Sequence, residues 1–314
     1  AATKEYFAGI DSDSLLERDA LINLTAPFLD YPEEVVAAGG NIFPVNGCSV
    51  DRGFLDSIGL SQSLLANFQW IEYIRSFMAG RTGWARLRSL LIISGAFGVF
   101  KKQDIIDAHG YLTGSEVYMK DTVGEDMELV VRMSRIKQEQ RQPFRVLYSY
   151  SANCWTEVPE SLRFFKKQRD RWQRGLIDII TFHSKMLGNP KYGSIGLIGF
   201  PYFLLFEVVG PWLETLGYIG LVVGLILGII SVPLFLAVFS FTILFGLVIS
   251  VASLILAEWH TKYLGIRDKL LLLGLAIVEN FGFRQFAGIF RVIGFINSIR
   301  GKSGWGTMKR KGFH

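Results

Sequence analysis

The stretch YFAGIDSDSLLERDAL, residues 6–21, decides how the chain is read. A short apolar run, rich in the residue types that favour strands, stops at Asp11-Ser12-Asp13. Two carboxylates one residue apart at the tip of a buried strand are costly unless a cation lies on them. Paired oxygen donors of this kind suit Mg²⁺ or Mn²⁺, with waters and substrate phosphates completing the shell. Alone the pattern is weak, because Asp-x-Asp arises by chance in many loops.

Downstream, EVVAAGGNIFPV (34–45), SLLIISGAFGVF (89–100) and FRVLYSYSANCW (144–155) also read as strands. SLLERDALINLTAPFL (14–29) reads as a helix, with Ser14 and Glu17 at capping-box spacing, and GEDMELVVRMSRIKQ (124–138) as another. Strands alternating with helices predict an α/β sheet domain over residues 1–156. Residues 157–192 form a basic amphipathic segment. Phe164, Phe165, Trp172, Leu176 and Ile180 share its apolar side, with Arg163, Lys166, Lys167, Arg169 and Arg174 largely elsewhere. Such a helix suits a membrane interface and contact with lipid.

From Gly193 the composition changes. Residues 1–192 carry 23 Lys/Arg and 23 Asp/Glu; residues 193–314 carry ten and five, so the net charge of +5 lies in the apolar half. A soluble nucleic-acid binder would place its excess charge on a polar domain. Here the charge flanks membrane segments, which points to anionic headgroups and the positive-inside rule. About four spans are expected in 193–286, at 194–213, 215–231, 233–257 and 268–286. The tail 287–314 carries Lys and Arg and no acid, so it is expected to be cytoplasmic, on the side of the first domain. Cys48 and Cys154 have no metal-ligand spacing, and the four His are scattered. The opening AATKEYF has no secretory pattern and reads as the interior of a domain.

Three further motifs give the Asp-x-Asp a context. SGAFGVF (94–100) puts small residues, Ser94 and Gly95, where a flat substrate can lie against backbone. Glu125 and Asp126 open a helix in which Glu128 and Arg132 are spaced to pair, and one of these acids is placed to act as a general base. In QRDRW (168–172), Gln168, Arg171 and Trp172 share a helical face and supply an amide, a fixed cation and a flat aromatic. A diphosphate leaving group needs the cation; a sugar ring suits the other two.

The order Asp-x-Asp, Ser-Gly-Ala-Phe-Gly, Gly-Glu-Asp, Gln-x-x-Arg-Trp, then membrane segments resembles the inverting family 2 glycosyltransferases, especially the membrane-embedded synthases of cellulose, hyaluronan and poly-N-acetylglucosamine. The resemblance covers roughly residues 1–300. It implies a GT-A (Rossmann-like) domain, a metal held by Asp11 and Asp13 with Asp13 the more direct ligand, and Asp126 as base with Glu125 beside it. It also implies that Gln168, Arg171 and Trp172 serve the acceptor end and the leaving group. The donor would be a nucleotide sugar (a UDP-sugar) and the acceptor a growing polysaccharide, at a bacterial inner membrane with the catalytic domain cytoplasmic. Members of this family carry about a hundred residues ahead of the Asp-x-Asp, including the first nucleotide-binding strands. The resemblance therefore implies that further sequence, or another chain, completes that half. Two other readings carry less of the pattern: a non-processive transferase onto a lipid phosphate, and a catalytically silent membrane scaffold.

Overall fold

The computed structural model describes residues 3–111 and 122–302. Its centre is a five-stranded mixed sheet of β1 (Tyr6–Ile10), β2 (Ser14–Leu16), β3 (Val35–Pro44), β6 (Phe97–Lys101) and β7 (Arg145–Thr156), in the order β1-β6-β3-β7-β2. A separate hairpin joins β4 (Ser49–Asp51) and β5 (Phe54–Ser57). Only β3 and β7 run parallel; the other neighbours in the large sheet are antiparallel. All ten residues of β3 are buried, as a central strand covered on both faces should be.

Six helices surround the sheet: α1 (Ala20–Asp30), α2 (Leu64–Tyr73), α3 (Gly80–Arg86), α4 (Lys102–Asp107), α5 (Glu125–Glu139) and α6 (Leu162–Phe182). A π-helical segment, Ile74–Ala79, joins α2 to α3 without a break. Acids in the first turn of α5 and Lys137 in its last complement the helix dipole.

Two local readings of the sequence change. Residues 14–16 are a strand, paired with Thr156, Trp155 and Cys154, and α1 starts only at Ala20. Edge pairing overrides the capping-box spacing there, and Glu17 accepts instead from the Trp155 indole N–H at 3.1 Å and the Tyr263 hydroxyl at 2.5 Å. In 89–100 only Phe97–Lys101 is a strand.

The amphipathic segment is a helix, but its charges divide differently from the expectation. Arg169 and Arg174 are buried. Arg169 pairs with Glu72 at 2.7 Å and Arg174 with Asp170 at 3.0 Å. Long cations can be buried when a carboxylate meets them, which a charge pattern alone does not disclose.

The apolar half contains two helices long and apolar enough to cross a membrane, Ile195–Ile226 and Val232–His260. The expected break near Gly210-Pro211 is absent. Residues 195–226 are one helix in which the π segments Ile195–Gly199 and Phe203–Val209 lie before Phe200–Tyr202 and Gly210–Ile226, near Pro201 and Pro211. The expected span at 268–286 is instead a pair, Ile266–Val278 and Phe283–Ile299, bent by 60°. Glu279 sits at this bend, fully buried, with Arg75 at 2.6 Å and Arg284 at 2.9 Å. Arg75 also donates to Ser250 Oγ at 2.7 Å, so the π segment is tied to the long helix Val232–His260.

The two long helices return the chain to the sheet domain. At their start, Ser194 Oγ donates to the Arg88 carbonyl at 2.9 Å. After their end, the Tyr263 ring packs at 5.7 Å from Phe43 and 5.3 Å from Trp155. Phe283–Ile299 then runs back along α6, where Arg291 Nε donates to Gln173 Oε1 at 2.9 Å. Most of the tail, from 303 onward, lies outside the described residues.

Candidate active site

The sheet order explains the assembly of the site. β1 lies beside β6, so Asp11 at the tip of β1 meets the turn that leads into β6; the Asp11 amide donates to the Ala96 carbonyl at 3.4 Å. Ser94, in that turn, adopts a left-handed conformation at φ 69°. The Gly95 amide donates to Asp126 Oδ2 at 2.9 Å, and the Met127 amide to Asp126 Oδ1 at 2.8 Å. The carboxylate of Asp126 is thus oriented by backbone from two elements.

Helix α6 reaches the same place through a close glycine contact. A Cβ on Gly175 would lie 2.9 Å from the backbone N and Cα of Gly124. Only two glycines let α6 approach the start of α5 this closely. The approach brings Arg171 into the field of Asp126 and Asp11: burial lowers its pKa, and those two carboxylates oppose the shift. Glu125 is held above the ordinary carboxylate range by burial, then by Asp126 and Asp11, with Arg171 pulling the other way. Asp11, Glu125, Asp126 and Arg171 therefore form one electrostatic neighbourhood.

Gln168 is buried beside Tyr73, and its Oε1 has no hydrogen-bond partner among the described residues. Trp172 is 37% exposed, with its ring 6.5 Å from Tyr73 and 6.4 Å from Phe77, and with the Arg169 guanidinium 4.4 Å from its centroid. The face expected from Gln168, Arg171 and Trp172 thus continues into two aromatics from α2 and the π segment. Tyr111 was not singled out by any motif. Burial pushes its hydroxyl up to about 12, and the charges of Asp126, Glu125 and Asp11 add to the shift, so it lies in the field of all three acids. A tyrosine at the end of a helix–turn carries no signal of its own. Arg81, Tyr73 and Phe77 were missed for the same reason.

The donor set fits a hard divalent cation only in part. Among the described residues no group of three His, Cys, Asp or Glu converges. The chain offers the oxygens of Asp11 and Asp13, and both carboxylate oxygens of Asp13 are shielded from solvent. Two aspartates with open positions suit an ion that takes its other ligands from a diphosphate and water.

The model of glycosyl transferase family group 2 matches residues 6–260, so the chain belongs to that family. It is 26% identical over 209 residues to the poly-beta-1,6-N-acetyl-D-glucosamine synthase of Staphylococcus aureus, covering 66% of this chain and 42% of that one. To the hyaluronan synthase of Streptococcus pyogenes it is 25% identical over 188 residues, 59% of this chain and 40% of the other. The chain therefore spans about two-fifths of the curated relatives it matches. Its fold is similar to that of the mannosyltransferase PcManGT of Pyrobaculum calidifontis, solved with GDP-Man and Mn²⁺. The TM-score is 0.50 at 16% identity, covering 96% of this chain and 64% of that one.

Proposed function

We propose that this chain carries the acceptor-side half of an inverting, metal-dependent polysaccharide synthase at a membrane surface. The observation that carries the reading is Asp126, fixed by the Gly95 amide within the electrostatic field it shares with Arg171 and Asp11. In the proposed reaction the acceptor hydroxyl gives its proton to Asp126 while its oxygen bonds to the anomeric carbon of the donor sugar. The bond from that carbon to the diphosphate breaks, and Arg171 meets the charge that develops there. Asp11 and Asp13 would hold Mg²⁺ or Mn²⁺, which when bound supplies charge neutralisation for the diphosphate. Trp172, backed by Tyr73 and Phe77, gives the acceptor sugar an aromatic surface, and Gln168 a hydrogen-bonding amide.

The donor is proposed to be a UDP-sugar. UDP–N-acetylglucosamine is the first choice, from the likeness to the Staphylococcus aureus synthase. Because Tyr263 and Ser194 both touch the sheet domain, the two long helices are read as a hairpin with both ends on the catalytic side, and the basic tail makes that side cytoplasmic. The test is to give membranes containing the protein individual radiolabelled UDP-sugars with Mn²⁺ and to size the product. A high-molecular-mass polymer from one donor supports the reading. Single-sugar transfer to lipid contradicts the polymerase part, and no incorporation from any donor contradicts the whole.

A further inference from the structure

The structure assigns to Arg81 a role that no motif marks: we infer that it is a positioning residue, which locks the Ser94–Gly95 turn and through it the carboxylate of Asp126. The inference rests on the reading of Asp126 as the base. Arg81 lies in the first turn of α3 and is 3% exposed. Its guanidinium stacks over the Phe77 ring, four residues earlier, at 4.0 Å. Its Nη2 donates to Ser94 Oγ at 2.9 Å. Ser94 is the residue held at positive φ, and the next amide, Gly95 N–H, is the one that holds Asp126 Oδ2. The line of contact runs Phe77, Arg81, Ser94, Gly95, Asp126 without a gap.

A buried guanidinium is expensive, and a carboxylate in direct contact usually offsets the expense. Arg81 has no ion pair among the described residues, and its Nη1 has no acceptor among them. What it has is a hydroxyl, a ring face and the more distant charge of Asp126, which resists the lowering of its pKa by burial. Leucine or methionine would fill the same volume more cheaply. The cation is explained if its task is directional: a fork that grips a strained turn from below. A serine at φ 69° gains little from its own backbone and needs an external grip to stay in one conformation. Displacing a reacting group by about 1 Å costs on the order of a hundredfold in rate.

The test compares wild type with Arg81→Gln and Ser94→Ala, which cut the same hydrogen bond from opposite ends. Amide hydrogen exchange of the peptide covering residues 93–97 is read first, because it needs no turnover. Both variants are expected to exchange about tenfold faster there, with unchanged protection in β3 and β7. Unchanged exchange at 93–97 overturns the inference. In membranes given UDP–N-acetylglucosamine and Mn²⁺, each variant is expected to lose about ten- to a hundredfold in kcat, with the donor KM within about threefold, and the double variant to lose no more than the worse single one. A raised KM at unchanged kcat, or additive losses, overturns the inference and makes Arg81 a donor-binding residue. Absence of transfer by wild type strikes the functional reading alone, and the exchange comparison then decides the role of Arg81. Should Arg81→Gln fail to fold, Ser94→Ala carries the same comparison.

Discussion

The amide of Gly95 donates a 2.9 Å hydrogen bond to Oδ2 of Asp126, across 31 residues of sequence. This bond joins the small-residue turn to the Gly-Glu-Asp motif. A Cβ at residue 95 would lie 3.6 Å from Cβ of Asp126 and 3.8 Å from Oδ2, which is ordinary contact. Gly95→Ala is therefore expected to keep activity within about threefold. Gly95→Val, with two more carbons aimed at the carboxylate, is expected to lose about a hundredfold in kcat, the scale of a 1 Å misplacement. Initial-rate measurements on the two variants check this; equal activities would show that the carboxylate is not held there.

Asp13→Ala is expected to weaken Mn²⁺ and UDP binding together, since Asp11 and Asp13 are the proposed ligands and the diphosphate shares the ion. Calorimetric titration of UDP in the presence and absence of Mn²⁺ reads this directly. A UDP affinity that keeps its full Mn²⁺ dependence would place the metal elsewhere.

Helix α6 has two kinds of cation, and they should separate. Arg169→Ala leaves Glu72 partly buried without its partner, a loss of about 3–5 kcal/mol, and removes the guanidinium from the face of Trp172. Lowered thermal stability and impaired elongation are expected together. Trp172→Ala should impair elongation by about tenfold at little cost in stability, by the scale of an aromatic contact. Lys166→Glu with Lys167→Glu should leave both unchanged in neutral lipid and weaken activity in anionic vesicles, at about 1 kcal/mol per charge. If the Trp172 variant responds to lipid charge and the lysine variant does not, the two faces of α6 are reversed.

Acid should destabilise the domain through His183. Burial lowers its pKa, against the pull of Glu128. Arg135 approaches Nδ1 at 3.1 Å and Glu128 approaches Nε2 at 3.3 Å, so the neutral ring with its proton on Nε2 satisfies both neighbours, and a second proton would face Arg135. The folded state therefore resists protonation that the unfolded chain accepts near pH 6.5, and stability is lost as pH falls below that value. Glu128 acts in the same direction at lower pH. Burial alone would raise it, but His183 and Arg132 outweigh that and hold it low. Each pH unit below the histidine titration removes at most about 1.4 kcal/mol, or about 2–4 °C in Tm. A melting series from pH 7.5 to 5.5 on wild type and His183→Gln checks this; the variant should show a flatter curve.

Much of this site was legible because its motifs are local. Asp11 and Asp13, Ser94 and Gly95, Glu125 and Asp126, and Gln168, Arg171 and Trp172 are each set within five residues, so their spacing survives any tertiary arrangement. Arg81, Tyr73, Phe77 and Tyr111 reach the site only because the helical stretch 64–86 and the end of the turn after α4 fold back on it, and no periodicity reports that. Burial of Arg169 and Arg174 was illegible for a related reason: a charged residue reads as solvated until its carboxylate partner, here Glu72 or Asp170, is seen beside it. In the apolar half composition marked the segments apolar enough to cross a membrane, but not their joints. Pro211 reads as a break, yet neighbouring wide turns carry it within one helix; Glu279 reads as lying within a span over 268–286, yet it is the buried hub of a bend.

The central claim is that Asp126 removes the acceptor proton at a metal-dependent transfer site. Asp126→Asn keeps the size of the side chain and, through its one acceptor oxygen, one of the two backbone hydrogen bonds that hold it, while abolishing its basicity. The direct measurement is UDP-sugar binding and sugar incorporation on the same membrane preparation of wild type and variant. The account predicts donor affinity within about threefold of wild type and incorporation reduced by about 10²–10⁴, the scale of a lost general base. Incorporation at more than a tenth of the wild-type rate, with the donor still bound, would contradict it.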